Sequence, residues 1–159
     1  MKVIYAGSFD PITNGHLDII LRARDVFGEV IVAVLNNVNK KSLFTAEQRV
    51  DMIKEVLKDQ KNIEVDSFTG LLVDYAKKRN IKVVVRGLRT ASDFFSEYNT
   101  AIANMHLEKG IETVFLPASE MHLFISSSLA KEVAAFNGDL EPFVPKIVRD
   151  AMKDKYNRR

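Results

Sequence analysis

Five short apolar runs alternate along the 159-residue chain with segments in which apolar residues recur at three- and four-residue spacing. The runs are rich in Val, Ile and Phe, which predicts β-strands, and the recurring spacing predicts amphipathic helices. The predicted strands are residues 2–6, 30–35, 63–67, 82–86 and 112–116. The predicted helices are residues 14–27, 46–58, 70–79, 93–108, 127–136 and 145–156. This alternation predicts an α/β fold, with a Rossmann-like doubly wound five-stranded parallel sheet and helices on both faces.

Length and composition fit a single domain over residues 1–159, with a frayed basic tail at about 153–159. Hydrophobic residues make up 47% of the chain, enough to bury a core, and a net charge of +2 is too weakly basic for a dedicated nucleic-acid binder. The chain has no cysteine, which excludes disulfides and thiolate metal sites. No signal peptide and no run of 18 uncharged apolar residues is evident, so we expect a cytoplasmic protein without a membrane partner.

The carboxyl ends of the first and fourth predicted strands carry the richest polar motifs. In a Rossmann-like strand order these two strands flank the crevice where ligands bind. The first motif is Gly7–His16, in which Ser8 can donate to a phosphate oxygen. His16, in the first turn of a helix, can donate a hydrogen bond to an oxygen that gains negative charge in a transition state. The alternative for His16 is a helix cap or a packed polar side chain, and Asp10 is predicted to brace its own turn and not to bind metal.

Basic side chains follow two other predicted strands. Arg86 and Arg89 follow the fourth strand, where their guanidinium forks suit phosphate oxygens. Ion pairs with Asp93 and Glu97 are the alternative. Lys40 and its neighbour Lys41 follow the second strand and can either reach a bound phosphate or remain solvated.

Ile125 and the three serines 126–128 precede the fifth predicted helix. Their hydroxyls and the free amides of the helix start predict a second anion site, and simple capping is the alternative. The chain has no Gly-x-x-x-x-Gly-Lys-Ser/Thr loop and no Gly-x-Gly-x-x-Gly fingerprint. The residues suit phosphoryl or nucleotidyl transfer by positioning and charge neutralisation, with any metal carried by the nucleotide.

Thr13-Asn14-Gly15-His16 resembles the T/H-x-G-H motif of the nucleotidylyltransferase superfamily. The chain most closely resembles the bacterial phosphopantetheine adenylyltransferases, nearly end to end. The matching pieces are GSFDPITNGH at 7–16, KK at 40–41, FTAEQRV at 44–50, RGLR at 86–89 and FISSSLAKEVA at 124–134. The resemblance implies reversible transfer of AMP from ATP to 4′-phosphopantetheine, giving dephospho-CoA and pyrophosphate in the penultimate step of coenzyme A biosynthesis. It further implies Mg²⁺ carried by the ATP phosphates, a homohexamer, and coenzyme A as a candidate feedback inhibitor.

The resemblance also implies residue roles. His16 would stabilise the transition state, and Lys40 and Arg89 would share in catalysis. The ATP site would comprise Ser8, Phe9, His16, Gly87, Leu88, Arg89, Glu97, His122, Leu123, Phe124, Ile125, Ser126, Ser127 and Ser128. The acceptor site would comprise Ser8, Lys40, Leu72 and Arg86. The chain departs from the family pattern at Phe95 and Ser96, where an acid and a tyrosine are usual.

Two other functions are compatible with these motifs. One is another small nucleotidylyltransferase, acting on nicotinamide mononucleotide or using CTP. The other is a non-catalytic nucleotide sensor, which would bind ATP without releasing pyrophosphate.

Overall fold

A computed structural model describes residues 1–37, 39 and 41–157. Its strands are β1 Lys2–Gly7, β2 Glu29–Leu35, β3 Ile63–Phe68, β4 Val83–Leu88 and β5 Glu112–Pro117. Its helices are α1 Asn14–Phe27, α2 Ala46–Val56, α3 Leu72–Lys78, α4 Ala91–Leu107, α5 Ser127–Ala135 and α6 Lys146–Asn157, with a 3₁₀ turn at Glu120–His122. The predicted α/β class is confirmed in the described residues.

The five described strands form one parallel sheet in the order β3-β2-β1-β4-β5. The chain builds outward from β1 to β3 and then crosses back to place β4 on the other side of β1. Ile4 pairs with Val84, and Tyr5 with Val85. The strand order therefore reverses between β1 and β4, which puts their carboxyl ends beside the ligand crevice expected of this topology.

Both faces of the sheet are buried, which explains the nearly continuous apolar strands. Successive side chains of a strand point to opposite faces. Val3, Val30 and Val32 pack on the face covered by α1, α2, α5 and α6. Ile4, Ile31 and Val84 pack on the opposite face, with Val73 and Ala76 of α3.

Local interactions define the start of α2 and the end of α1. At the start of α2, the Thr45 hydroxyl accepts from the Gln48 amide at 3.2 Å, and the Gln48 side chain accepts from the Thr45 amide at 3.1 Å. This is a complete capping box. At the end of α1, Gly28 has φ 95°, a conformation that glycine adopts without the steric cost of a side chain.

The predicted element bounds lie within two residues of the observed ones, but two expectations about the ends of elements are wrong. Strand β4 continues to Leu88, so Arg86 and Gly87 lie within the strand and not after it. Helix α6 continues to Asn157, so residues 153–157 of the expected frayed tail are helical. Met152 is fully buried and Tyr156 packs against the same core, which holds the last turns in place. Residues 158 and 159 lie outside the described part of the chain.

None of the helices in the described ranges has the length and the apolar character needed to cross a membrane.

Candidate active site

A crevice of about 290 Å³ opens at the carboxyl ends of β1 and β4. It brings together residues from the turn after β1, the start of α1, the end of β4, the first turns of α4, the 3₁₀ turn after β5 and the start of α5. Most of the predicted site residues line it: Ser8, Phe9, His16, Arg86, Gly87, Arg89, Glu97, His122, Ile125, Ser126, Ser127 and Ser128. Leu88, Leu123 and Phe124 do not line it, and Lys40 lies outside the described residues.

His16 is held by a capping box at the start of α1. The Thr13 hydroxyl accepts from the His16 amide at 3.2 Å, and His16 Nδ1 accepts from the Thr13 amide at 3.1 Å. Because Nδ1 is an acceptor, the neutral ring carries its hydrogen on Nε2. Burial, and then the charges of Arg89 and Arg86, lower the pKa of His16 to about 4. At neutral pH His16 is therefore an uncharged side chain with one fixed hydrogen-bond donor.

The turn after β1 has an unusual backbone at Phe9. Its φ is 46°, a region that costs an aromatic residue free energy, while its ring is only 1% exposed. The ring packs edge-on against Tyr5 at 5.5 Å and His16 at 5.1 Å between centroids. A Cβ on Gly7 would lie 3.1 Å from the Phe9 ring, so this position favours glycine. The buried ring fixes the turn and leaves the exposed Ser8 at the crevice.

Arg86 makes a bidentate ion pair with Glu97, with N–O distances of 2.6 and 2.7 Å, and also donates to the Ala6 carbonyl. Burial opposes the charge on Arg86, but the hydrogen bonds that it donates to Glu97 and the charge of that carboxylate outweigh burial and raise the pKa of Arg86. The ion-pair alternative is thus realised for this arginine. These bonds use three of the five guanidinium hydrogens, which leaves two for a ligand.

Arg89 pairs with Asp93 at 2.9 Å and donates to the Ile125 carbonyl at 2.9 Å. It therefore connects β4 and the start of α4 to the segment before α5. Because it stays partly exposed and lines the crevice, it can also meet an anion. Pairing with an acid and binding a phosphate are compatible for both arginines, since each acid occupies only one part of the guanidinium.

The three serines before α5 have different partners. Ser126 is the N-cap, and its hydroxyl accepts from the Leu129 amide at 3.1 Å. Ser127 donates to the Pro11 carbonyl at 2.8 Å, which ties α5 to the turn after β1. Ser128 lines the crevice. His122 lies across the crevice, with Nδ1 2.7 Å from the Ser119 hydroxyl.

A second pocket of about 380 Å³ adjoins the crevice. The two share Gly7, Ser8, Arg86 and Glu97. The walls of the second pocket are more apolar and include Leu35, Phe68, Leu71 and Leu72. The predicted acceptor residue Leu72 lies here and not in the crevice. Ser8 and Arg86 therefore stand at the junction of a polar compartment and an apolar one.

The expectation that Asp10 braces its own turn through a local side-chain hydrogen bond is wrong. Its carboxylate accepts from the amides of Leu43 and Phe44, at 2.8 and 2.9 Å, and lies 3.3 Å from Lys131 Nζ. These partners are more than 30 residues away in sequence, so no local turn pattern could indicate them. Lys41 is exposed and does not line either pocket.

Sequence reasoning missed three residues that build the site. Thr13 caps α1 and orients His16, and a threonine directly before Asn-Gly-His was a usable signal. Tyr5 lines the crevice from inside β1, and burial raises the pKa of its hydroxyl. Arg49 is 2% exposed and donates to the Ser8 carbonyl at 2.6 Å. The polar sequence at the start of α2 gave no reason to expect a buried arginine there.

The profile of the cytidylyltransferase-like family matches residues 4–133. The phosphopantetheine adenylyltransferase of Alkaliphilus metalliredigens is 51% identical, over 98% of this chain and 99% of its own. The enzymes of the same name from Syntrophotalea carbinolica and Clostridium kluyveri are 50% and 52% identical, each over 96% of this chain and over 92% and 93% of their own lengths.

Solved structures with the same fold have much lower sequence identity. One is a Plasmodium falciparum nicotinic acid mononucleotide adenylyltransferase complexed with NaAD. It has a TM-score of 0.70 and 19% identity, and the match covers 98% of this chain and 95% of the other. The similarity supports the Rossmann-like arrangement around the crevice.

Proposed function

The chain belongs to the phosphopantetheine adenylyltransferase family, nucleotidyltransferases of coenzyme A biosynthesis, and we propose that its two adjoining pockets hold the two substrates of that reaction. ATP would lie in the polar crevice and 4′-phosphopantetheine in the more apolar pocket. AMP passes from ATP to the acceptor, which gives dephospho-CoA and pyrophosphate, and the reaction is reversible.

The observation that carries this proposal is the shared wall of the two pockets. Ser8 and Arg86 face both compartments. A hydroxyl and a guanidinium at this junction can hold the phosphate of an acceptor beside the phosphates of a nucleotide. The apolar walls beyond them suit the pantetheine arm. An arrangement of this kind brings two phosphate groups together, as transfer between them requires.

The reaction is an in-line displacement at the α-phosphorus of ATP. An oxygen of the acceptor phosphate forms a bond to the α-phosphorus, and the bond from that phosphorus to the bridging oxygen breaks. The electron pair leaves with pyrophosphate. The acceptor phosphate is already an anion at neutral pH, so no side chain has to remove a proton from it.

His16 and the basic residues supply electrostatic stabilisation. His16 Nε2–H donates to the α-phosphate oxygens as their charge changes, and the pKa of about 4 keeps the ring neutral at pH 7. Arg89 neutralises charge from the α5 side of the crevice. Lys40, which lies outside the described residues, would share this role. Arg86 with Leu72 holds the acceptor.

The remaining ATP contacts follow the walls of the crevice. Gly87 offers its main chain, and His122 with residues 125–128 faces it from the other side. Leu88 adjoins Gly87, and Leu123 and Phe124 lie between His122 and Ile125. They would contribute main-chain groups to ATP where their neighbours line the crevice.

The described residues give no set of His, Cys, Asp and Glu side chains arranged to hold a metal ion. The two carboxylates that line the crevice are paired with arginines: Glu97 with Arg86, and Asp93 with Arg89. We therefore propose that Mg²⁺ arrives with the phosphates of ATP and needs no protein ligand of its own.

Helix α4 supports assembly into a homohexamer. Its exposed face carries Phe94, Phe95, Tyr98, Ile102 and Met105, which are between 41% and 68% exposed. An apolar stripe of this kind is unusual on a monomer. The departure from the family pattern at Phe95 makes this stripe more apolar. Light scattering on the purified protein tests the assembly.

Two further properties follow from the proposed reaction. Coenzyme A shares the pantetheine arm of the acceptor and would compete for the second pocket as a feedback inhibitor. The pathway would place the enzyme in the cytoplasm.

The decisive experiment is pyrophosphate release with ATP and 4′-phosphopantetheine. We expect turnover with this pair, and none when nicotinamide mononucleotide replaces the acceptor or CTP replaces ATP. Turnover with either replacement and not with the expected pair would assign the chain to another reaction. ATP binding without pyrophosphate release would identify a sensor.

A further inference from the structure

Arg49 is a buried cation without an acidic partner. It lies in the first turn of α2, is 2% exposed, and forms no ion pair with any carboxylate of the described residues. Its guanidinium donates only to main-chain carbonyls. Nη1 donates to Ser8 at 2.6 Å and to Leu35 at 3.1 Å, and Nε donates to Thr45 at 3.3 Å.

Such a group is costly to bury, because carbonyls solvate a charge without neutralising it. An apolar side chain of similar length would fill the same volume without that cost. The three carbonyls belong to the turn after β1, the end of β2 and the cap of α2. Arg49 therefore joins three segments, one of which is the turn that presents Ser8.

The position of the Ser8 carbonyl affects the most strained part of that turn. It belongs to the peptide unit between Ser8 and Phe9, directly before the strained φ of 46° at Phe9. Strained backbone persists only where its surroundings fix it. The Phe9 ring fixes one side of the peptide, and the Arg49 guanidinium fixes the carbonyl.

Asp10 makes the reciprocal contact, from the turn after β1 to the segment before α2. It lies in the same turn, and its carboxylate accepts from the amides of Leu43 and Phe44, just before α2. A charged side chain from each segment thus binds the main chain of the other. Together they brace the turn after β1 against the loop that leads into α2.

We propose that Arg49 is a positioning residue for adenylyl transfer, which acts by holding the Ser8 carbonyl and so aiming the Ser8 hydroxyl at the substrate phosphates. Its charge also makes the turn more attractive to a polyanion. The inference rests on the proposed function, because it acts through Ser8.

Arg49→Met tests this, since it keeps the length and removes the donors and the charge. Ile53→Ala is the matched control: it lies one turn further along α2, is fully buried, and faces the core away from the crevice. Both variants lose thermal stability. At a temperature where both remain folded by circular dichroism, we expect Arg49→Met to raise the dissociation constant for ATP at least fivefold in calorimetry without acceptor. It should also lower kcat at least tenfold, whereas Ile53→Ala should stay within twofold of the wild type in both.

Arg49→Lys keeps the charge and part of the hydrogen bonding, so its ATP affinity and its kcat should lie between those of the wild type and those of Arg49→Met. If Arg49→Met does not fold, Arg49→Lys should still show a weaker ATP affinity and a lower kcat than the wild type. In a Ser8→Ala background, adding Arg49→Lys should change kcat by less than twofold, because the hydroxyl it would misplace is gone. The proposal is overturned if Arg49→Lys and Arg49→Met change melting temperature alone, or if the Ser8 and Arg49 effects on kcat multiply independently. If the wild type binds ATP but releases no pyrophosphate, the proposed reaction is refuted. The calorimetry then still shows whether Arg49 contributes to ATP binding.

Discussion

Replacing His16 separates its structural contribution from its chemical one. The two ring nitrogens have different partners: Nδ1 accepts from the Thr13 amide at 3.1 Å, and Nε2–H is left for the crevice. His16→Ala removes both. Loss of the capping contact should cost about 1 kcal/mol, on the scale of other helix caps, which lowers the melting temperature of a domain this size by about 2–4 °C.

Loss of the Nε2 donor should have a much larger effect on the rate. Removing one preorganised donor from a developing oxyanion costs about 2.7–4 kcal/mol, or a factor of about 10²–10³ in kcat. The ATP KM should change little, because the donor acts mainly in the transition state. Steady-state pyrophosphate release and thermal unfolding measured on the same preparations give both quantities.

His16→Gln is the matched control. Glutamine is a usual residue at this position of a capping box, and its side-chain oxygen can accept from the Thr13 amide. It should restore most of the melting temperature but leave kcat at least tenfold below the wild type. The reasoning is refuted if His16→Gln restores kcat together with stability, or if His16→Ala keeps kcat within tenfold of the wild type.

Three further predictions concern charge and backbone. The pKa of His16 is about 4, below the usual 6.5, so its contribution to stability is complete above pH 6.5 and is lost as the pH falls towards 4. The loss amounts to about 3 kcal/mol, and ring-nitrogen NMR should find no titration of His16 between pH 6 and 8. Arg86→Ala should raise the KM for phosphopantetheine by about 10- to 100-fold, from the loss of charge-assisted hydrogen bonds. Arg22→Ala should not change that KM, because Arg22 lines neither pocket. Gly28→Ala should lower the melting temperature by several degrees with kcat unchanged, because alanine is strained at φ 95° and the residue is remote from the crevice.

Much of the fold follows from local sequence. The strands that are buried on both faces, such as Val30–Leu35, are continuous apolar runs that no amphipathic helix would show. Thr45 and Gln48 mark the start of α2 by a capping box that needs no tertiary contact to form. The end of α6 was predicted to within one residue, but the expected fraying of residues 153–157 is wrong, because Met152 is buried and Tyr156 packs against the same core.

The position of the site was also predictable, because topology alone places the ends of β1 and β4 together. The partners of individual charges were not. Asp10 bonds amides 33 and 34 residues away, and Arg49 bonds carbonyls 14 and 41 residues away. Sequence spacing carries no information about such contacts. They depend on which loops the finished sheet brings side by side.

A structural role does not exclude a functional one for His16, Arg86 or Arg89. Each of these side chains has several hydrogen-bonding groups pointing in different directions. His16 uses Nδ1 to cap α1, and the cap itself fixes Nε2 as the donor. Arg86 uses one edge for Glu97 and keeps other guanidinium hydrogens for the phosphate proposed to bind there. A group that must stabilise charge without reorganising needs such an anchor, so the structural bond at one end of the side chain is a condition for the chemistry at the other.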